Sequence, residues 1–208
     1  MNNANAKTSE TLVDPWAMQR TLMAASSQTM PSEPVLHKGV MLYAALNLEE
    51  GQETIHGLFK ALTRIVGEVP LADRDANMIA LESVAKMLGD VAANMKSTSL
   101  AVRAKIATFP EAFRAELTED EVVEMTDGTT DLMVTNSGFA LSLGLDGGAC
   151  YDDVAGSNLS KRNDDGIIDK TPDGKWIKNP KNYREPNLRA VIWPEKYGAK
   201  AGEAAKLN

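Results

Sequence analysis

One cysteine in 208 residues, Cys150, excludes an intrachain disulfide framework, and no companion motif makes it a nucleophile. Aromatic residues are scarce at 5%, while Ala and Met are common, which points to helices rather than a β-sandwich. No apolar run approaches the ~18 residues of a membrane span. The start, Met1 to Glu10, is polar and lacks the apolar core of a signal peptide. The expectation is a cytoplasmic protein that engages no membrane. P-loop, G-x-S-x-G and zinc-ligand spacings are also missing, which removes several common routes to catalysis.

What remains is ordinary for a globular chain, at 43% hydrophobic and 25% charged, and long enough for one sizeable core. The charge is unevenly spread. Up to Ala155 there are 22 acidic against 11 basic residues, a balance of −11; from Gly156 onward 11 basic face 7 acidic, a balance of +4. An acidic body argues against nucleic-acid binding, which neutralises phosphates over a broad basic surface. An acidic site with a local basic segment suits a smaller anion carried in with a metal, although basic tails also serve solubility alone.

The pattern divides the chain into a loose lead at 1–12, a helical region at 13–155 and a basic, turn-rich tail at 156–208. Asp14 and Pro15 start a helix running to about Ser26, as N-cap and first helical residue. Trp16, Met18 and Leu22 are candidates for its buried side. Pro31 and Pro34 hold the next stretch as a loop. From Gly39 to Ile65 the residues Leu42, Ala45, Leu46, Leu58, Leu62 and Ile65 form one helical stripe. A second long helix spans Asp73 to Met95, with Met78, Ile79, Leu81, Val84, Ala85, Leu88, Val91, Ala92 and Met95 as a wide apolar band. A short helix is expected before Pro110. Thr118 and Glu121 form a capping box for a third long helix, Glu119 to about Leu143, ended by Gly144. Val123, Leu132 and Leu141 are expected to face its core. Asp152 to Asn158 reads as a further short helix. Asp165-Gly166 and Asp173-Gly174 are turn signals around a small β-hairpin, and the last ten or so residues are expected to fray.

Two of these helices carry acidic stripes. Leu46-Asn47-Leu48-Glu49-Glu50-Gly51-Gln52-Glu53 puts Glu50 and Glu53 on one face, and Glu49 and Glu53 likewise, because residues three and four apart on a helix are neighbours. Glu124, Asp127 and Asp131 line one stripe of the later helix. Like charges at that spacing repel. They mean either a solvated acidic face or a set of oxygen ligands for a hard divalent cation. Gly51, between the carboxylates, leaves room for a ligand or a neighbouring helix. Packed antiparallel, the two stripes would bring several carboxylates into one pocket, which requires more than one divalent metal or raised pKa values.

The order E-E-x-x-E (Glu49-Glu50-x-x-Glu53) then E-x-x-D (Glu124-x-x-Asp127) resembles the all-α nucleoside triphosphate pyrophosphohydrolases of the MazG-like group. Asn158 and Lys161 of Ser157-Asn158-Leu159-Ser160-Lys161 match the Asn and basic residues that the family places after its second motif, and the runs Asp127 to Asp131, Gly144-Leu145-Asp146 and Asp173-Gly174-Lys175 resemble its phage-encoded branch. The likeness spans roughly Pro31 to Leu188. It implies an all-α helical bundle with a small turn-rich or β-hairpin C-terminal segment. It implies Mg²⁺, with Mn²⁺ as an alternative and two or more ions per site, held by Glu50, Glu53, Glu124 and Asp127. Glu49 and Glu50 are implied as catalytic, with Glu49 a further ligand or the group that positions the attacking water. Asp131, Asn158, Lys161 and Lys175 are implied to bind substrate. The implied reaction is hydrolysis between the α- and β-phosphates, with (d)GTP to (d)GMP as first substrate and broad dNTP or housecleaning hydrolysis as the alternative. A homo-dimer or homo-tetramer is implied, since such sites are built from packed dimers. The interval from Glu53 to Glu124 is longer than in compact members, so the helix at Asp73 to Met95 reads as an insertion.

Three rival readings are weaker. Glu53-Thr54-Ile55-His56 is an E-x-x-H, but a di-iron carboxylate bundle needs two, and the later helix offers no His. His37 lies in a region with no other catalytic signal. Asn163-Asp164-Asp165-Gly166 lacks the ligand alternation and terminal Glu of a Ca²⁺-binding EF-hand. The rival of another class is a non-catalytic helical interaction protein whose acidic stripes are merely solvated.

Overall fold

The computed structural model describes residues 14–28 and 30–198. The predicted lead at 1–12 and the predicted fraying of the last residues lie outside the described residues. The fold is all-α, as expected, with only a two-stranded ladder of two residues per strand among the described residues. The chain divides into two compact units. One takes Glu33–Glu116 with Pro172–Gly174; the other takes the described residues before it, then Leu117–Thr171 and 175–198.

The unit of Glu33–Glu116 is a helical hairpin. Helix α2 (Lys38–Gly67) opens with His37 as N-cap, its Nδ1 accepting from the Gly39 N–H at 3.1 Å. Helix α3 (Ala76–Ile106) opens with Asp75, whose carboxylate accepts from the Met78 N–H at 2.9 Å. Phe59 lies against Gly89, Met95 against Gly51, and the Ser99 hydroxyl donates to the Ala45 carbonyl at 2.8 Å. These pairs run in opposite senses along the two helices, so α2 and α3 are antiparallel. Strands β1 (Leu36–His37) and β2 (Arg114–Ala115) pair antiparallel, Leu36 with Ala115 and His37 with Arg114, and so link the residues before α2 to those after α3.

The seam of this hairpin is narrower than the apolar pattern predicts. On α3 it runs Met78, Leu81, Ala85, Leu88, Ala92, Met95, Ser99 and Ile106, all buried or half-buried. Most of these are spaced alternately by three and four, the repeat that keeps one face of a helix on a partner helix. Ile79, Val84 and Val91 fall off that repeat and are exposed, despite their place in the expected band. On α2 the same correction applies to Leu58 and Ile65, which are exposed, whereas Leu42, Ala45 and Val66 are buried. Nor is there a separate short helix before Pro110. With no Gly or Pro between Met95 and Ile106, α3 runs on to Ile106, keeping the seam through Ser99 and Arg103.

In the other unit, α1 (Pro15–Ala25) starts as predicted, the Trp16 N–H donating to Asp14. Leu22 and Ser26 are buried, but Trp16 is 57% exposed and contributes no core. Helix α4 (Glu119–Ser142) has the expected capping box, Glu121 N–H to Thr118 Oγ1 at 3.3 Å and Thr118 N–H to the Glu121 carboxylate at 2.8 Å. It ends before Gly144, whose φ of +73° favours glycine. None of its residues is buried. Val123, Leu132 and Leu141, expected to face a core, are exposed.

Helix α5 (Gly147–Leu159) starts earlier than expected because Asp146 caps it through the Ala149 N–H. The turn-rich tail is fixed by two anchors. Ile168, 1% exposed, donates its N–H to the Ala25 carbonyl. Arg184 donates to Asp153 at 2.8 Å and accepts from Ser157 through its backbone carbonyl. The expected hairpin is one antiparallel bridge, Lys170 to Trp176, with the Thr171 N–H donating to Lys175 and the Ile177 N–H to Asp169. Two short helices, α6 (Leu188–Ile192) and α7 (Pro194–Tyr197), follow.

Candidate functional site

The first acidic stripe lies on the middle of α2, where the helix is unbroken. Its three carboxylates are not equivalent. Glu49 is half-buried and accepts from Arg103 Nη1 at 2.9 Å, while Glu50 and Glu53 are exposed one turn apart. Gly51 faces the partner helix: a Cβ there would stand 2.9 Å from the Met95 methyl. The room left by this glycine is therefore taken by α3 rather than by a ligand. His56 stacks on Phe59 at 5.7 Å between ring centres, a packing role that removes interest from the E-x-x-H.

The second stripe lies on α4 in the other unit, and Glu124, Asp127 and Asp131 are all exposed. The hydroxyls of Thr126, Thr129 and Thr130 donate to the carbonyls of Val122, Met125 and Thr126 of their own helix. These threonines are thus satisfied locally. Among the described residues, no three His, Cys, Asp or Glu side chains gather closely enough to hold a metal ion. The carboxylate pairs Glu50 with Glu53, and Glu124 with Asp127, nevertheless offer all-oxygen donors of the kind a hard divalent cation takes.

The tail brings two predicted residues together. Lys161 Nζ donates to the Asn158 side-chain oxygen at 2.7 Å and lies 5.6 Å from the centre of the Trp176 ring. Amide, ammonium and indole face form one polar and aromatic cluster, of a kind that suits a phosphate or sugar beside a flat ring. Lys175 has an exposed side chain, and its backbone closes the turn on Thr171. Cys150 is half-buried, and its thiol pKa is raised by burial, then by Asp146 and Asp153, which disfavours the nucleophilic thiolate.

Sequence reasoning missed Arg103. This residue is 4% exposed, donates to Glu49 through Nη1 and to Asp173 through Nη2, and has an Nε with no partner. A buried guanidinium is tolerated only when paired, and here one cation meets two carboxylates. The signal was present: a charged residue four positions after Ser99, on the seam of an otherwise apolar helix face. Asp173 belongs to an Asp-Gly turn, and nothing in the sequence ties it to Arg103, 70 residues earlier.

An apolar groove of about 390 Å³, lined by Met41, Ala44, Val102, Ile106 and Phe109 among others, has no acidic residue on its wall and is not the acidic site. No helix among the described residues is long and apolar enough to cross a membrane. No family model, curated protein or solved structure matches the chain.

Proposed function

We propose that this protein is a divalent-metal-dependent nucleoside triphosphate pyrophosphohydrolase. Water attacks a phosphoryl centre, the α–β phosphoanhydride bond breaks, and the products are a nucleoside monophosphate and pyrophosphate. The observation that carries the reading is the pair of acidic stripes, each on a regular capped helix, with Glu50, Glu53, Glu124, Asp127 and Asp131 all exposed to solvent. Their donor set is purely oxygen, so Mg²⁺ fits, with Mn²⁺ as substitute, the proposed ligands being Glu50 and Glu53 on α2 and Glu124 and Asp127 on α4. When bound, the cation neutralises phosphate charge and polarises the phosphoryl group.

The remaining roles fall to the chain's own side chains. Glu50 doubles as a catalytic carboxylate. Lys161 and Asn158, already hydrogen-bonded to one another, hold phosphate or sugar, with Lys175 and Asp131 as further substrate contacts. Glu49 orients the attacking water only within the limits set by its bond to Arg103. The first substrate is (d)GTP, with broader dNTP hydrolysis as the alternative. The working form is a homo-dimer or homo-tetramer, a reading supported by α4, which buries no residue and exposes Val123, Leu132, Val134 and Leu141.

That same exposed helix supports one rival, a non-catalytic helical interaction protein. Pyrophosphate release from a panel of triphosphates, with and without Mg²⁺, separates the two. Mg²⁺-dependent release, fastest with (d)GTP, is expected. No release from any common triphosphate by the folded protein leaves the interaction reading.

A further inference from the structure

Buried charge is expensive, and Arg103 carries the one positive charge among the buried side chains of the described residues. Its side chain divides its donors. Nη1 binds Glu49, on the acidic stretch of α2, and Nη2 binds Asp173, far along the chain in an Asp-Gly turn. A guanidinium stays charged at any ordinary pH and holds its donors in a rigid planar fork. It therefore fixes the direction of both carboxylates, which a lysine ammonium would not.

A second contact seats the same turn. Gly174 has φ +86°, and a Cβ on it would stand 2.6 Å from Leu42 Cδ2. Leu42 is itself buried on α2, less than two helical turns before Glu49. One ionic and one apolar contact thus hold the three-residue segment Pro172–Gly174 against α2 and α3.

We infer that Arg103 is a positioning residue that aims Glu49 of the acidic stretch and locks that carboxylate to the Asp173-Gly174 turn. The inference rests on the hydrolase reading and deepens it. Glu49 acts from an Arg-held position, orienting water, and is not one of the metal ligands, which on α2 are Glu50 and Glu53. Arg103 acts through Glu49 and touches no substrate.

The test is a double-mutant cycle on the full chain, with Arg103→Met, Glu49→Gln and both together, reading kcat and KM for Mg²⁺–(d)GTP. Arg103→Met should lower kcat about 10- to 100-fold, the scale of a misplaced reacting group, with KM changed less than threefold. On the Glu49→Gln background the same change should cost less than about threefold, because linked residues are not additive. Equal losses on both backgrounds, or a loss confined to KM, overturn the inference. Should Arg103→Met fail to fold, Arg103→Lys runs the same cycle, since it keeps the charge and loses the fork. Hydrogen exchange of the 171–177 segment gives a readout without activity. Faster exchange in the Arg103 variant is expected, and unchanged exchange refutes the lock. A wild-type chain that releases no pyrophosphate sinks the hydrolase reading instead, and the exchange alone then decides whether Arg103 holds the turn.

Discussion

Helices α3 and α4 are alike in how they begin and opposite in what they bury. Each has a side-chain cap, Asp75 on one and the Thr118–Glu121 box on the other, and each runs more than twenty residues without a break. Along α3, Ala85, Ala92, Ser99, Arg103 and Ile106 are buried; along α4 nothing is. Capping and propensity make a helix, but burial requires a partner surface. On α3 that partner is α2, close enough for alanine to fill the seam. On α4 the apolar residues Val123, Leu132, Val134 and Leu141 face outward beside an acidic stripe. The first helix reads as scaffold, the second as a surface with work left to do.

The largest effect expected from this contrast is on activity. Glu50→Gln and Asp127→Asn should each lower kcat at least ~100-fold, since even residues behind metal ligands commonly cost 10- to 100-fold. Glu119→Gln, in the first turn of α4, should stay within about twofold. All three should keep the wild-type far-ultraviolet circular dichroism. Equal losses at Glu119 and Asp127 would mean that charge on α4, not a site, controls the rate.

The next expectation sharpens the scaffold side. Ala92→Leu should overpack the α2–α3 seam and cost about 1–3 kcal/mol in urea unfolding. Leu132→Ser on α4, at low protein concentration, should cost no more than about 0.5 kcal/mol. If the Leu132 penalty grows with protein concentration, α4 is buried against a second copy, because assembly stabilises by mass action. Gly174→Ala should cost about 1–3 kcal/mol, joining a strained φ to the close approach of Leu42.

The sequence revealed elements better than neighbours. Asp14, Thr118 and Gly144 mark helix ends by local chemistry, and all three mark the ends found. Ile79 and Val91 fit the apolar band yet join no core, because a long helix rich in apolar residues fits several stripes and only the partner selects one. Arg103 escaped for the complementary reason. Its partners lie 54 and 70 residues away, and no periodicity links them. For the candidate site, the acidic stripes and the Asn158–Lys161 contact were legible because each is a local spacing of three or four residues. The pairing of Glu49 with Arg103 was not.

The smallest expected effect concerns the start of α2, where His37 does for this helix what Asp75 does for α3. Its pKa is lowered from 6.5, by burial first and then by Arg114 opposite it in the β ladder. The neutral ring caps α2 by accepting from Gly39, and a protonated Nδ1 cannot accept. With the folded pKa below the unfolded one, this contribution is complete above pH 6.5 and is lost as pH falls through the lowered folded value. A cap of this kind is worth about 1 kcal/mol. His37→Asn keeps a capping side chain and removes the titration. Between pH 7.5 and 5, the wild type should lose up to about 1 kcal/mol relative to this variant in urea unfolding. Parallel curves would show that the imidazole is not the acceptor at this helix start.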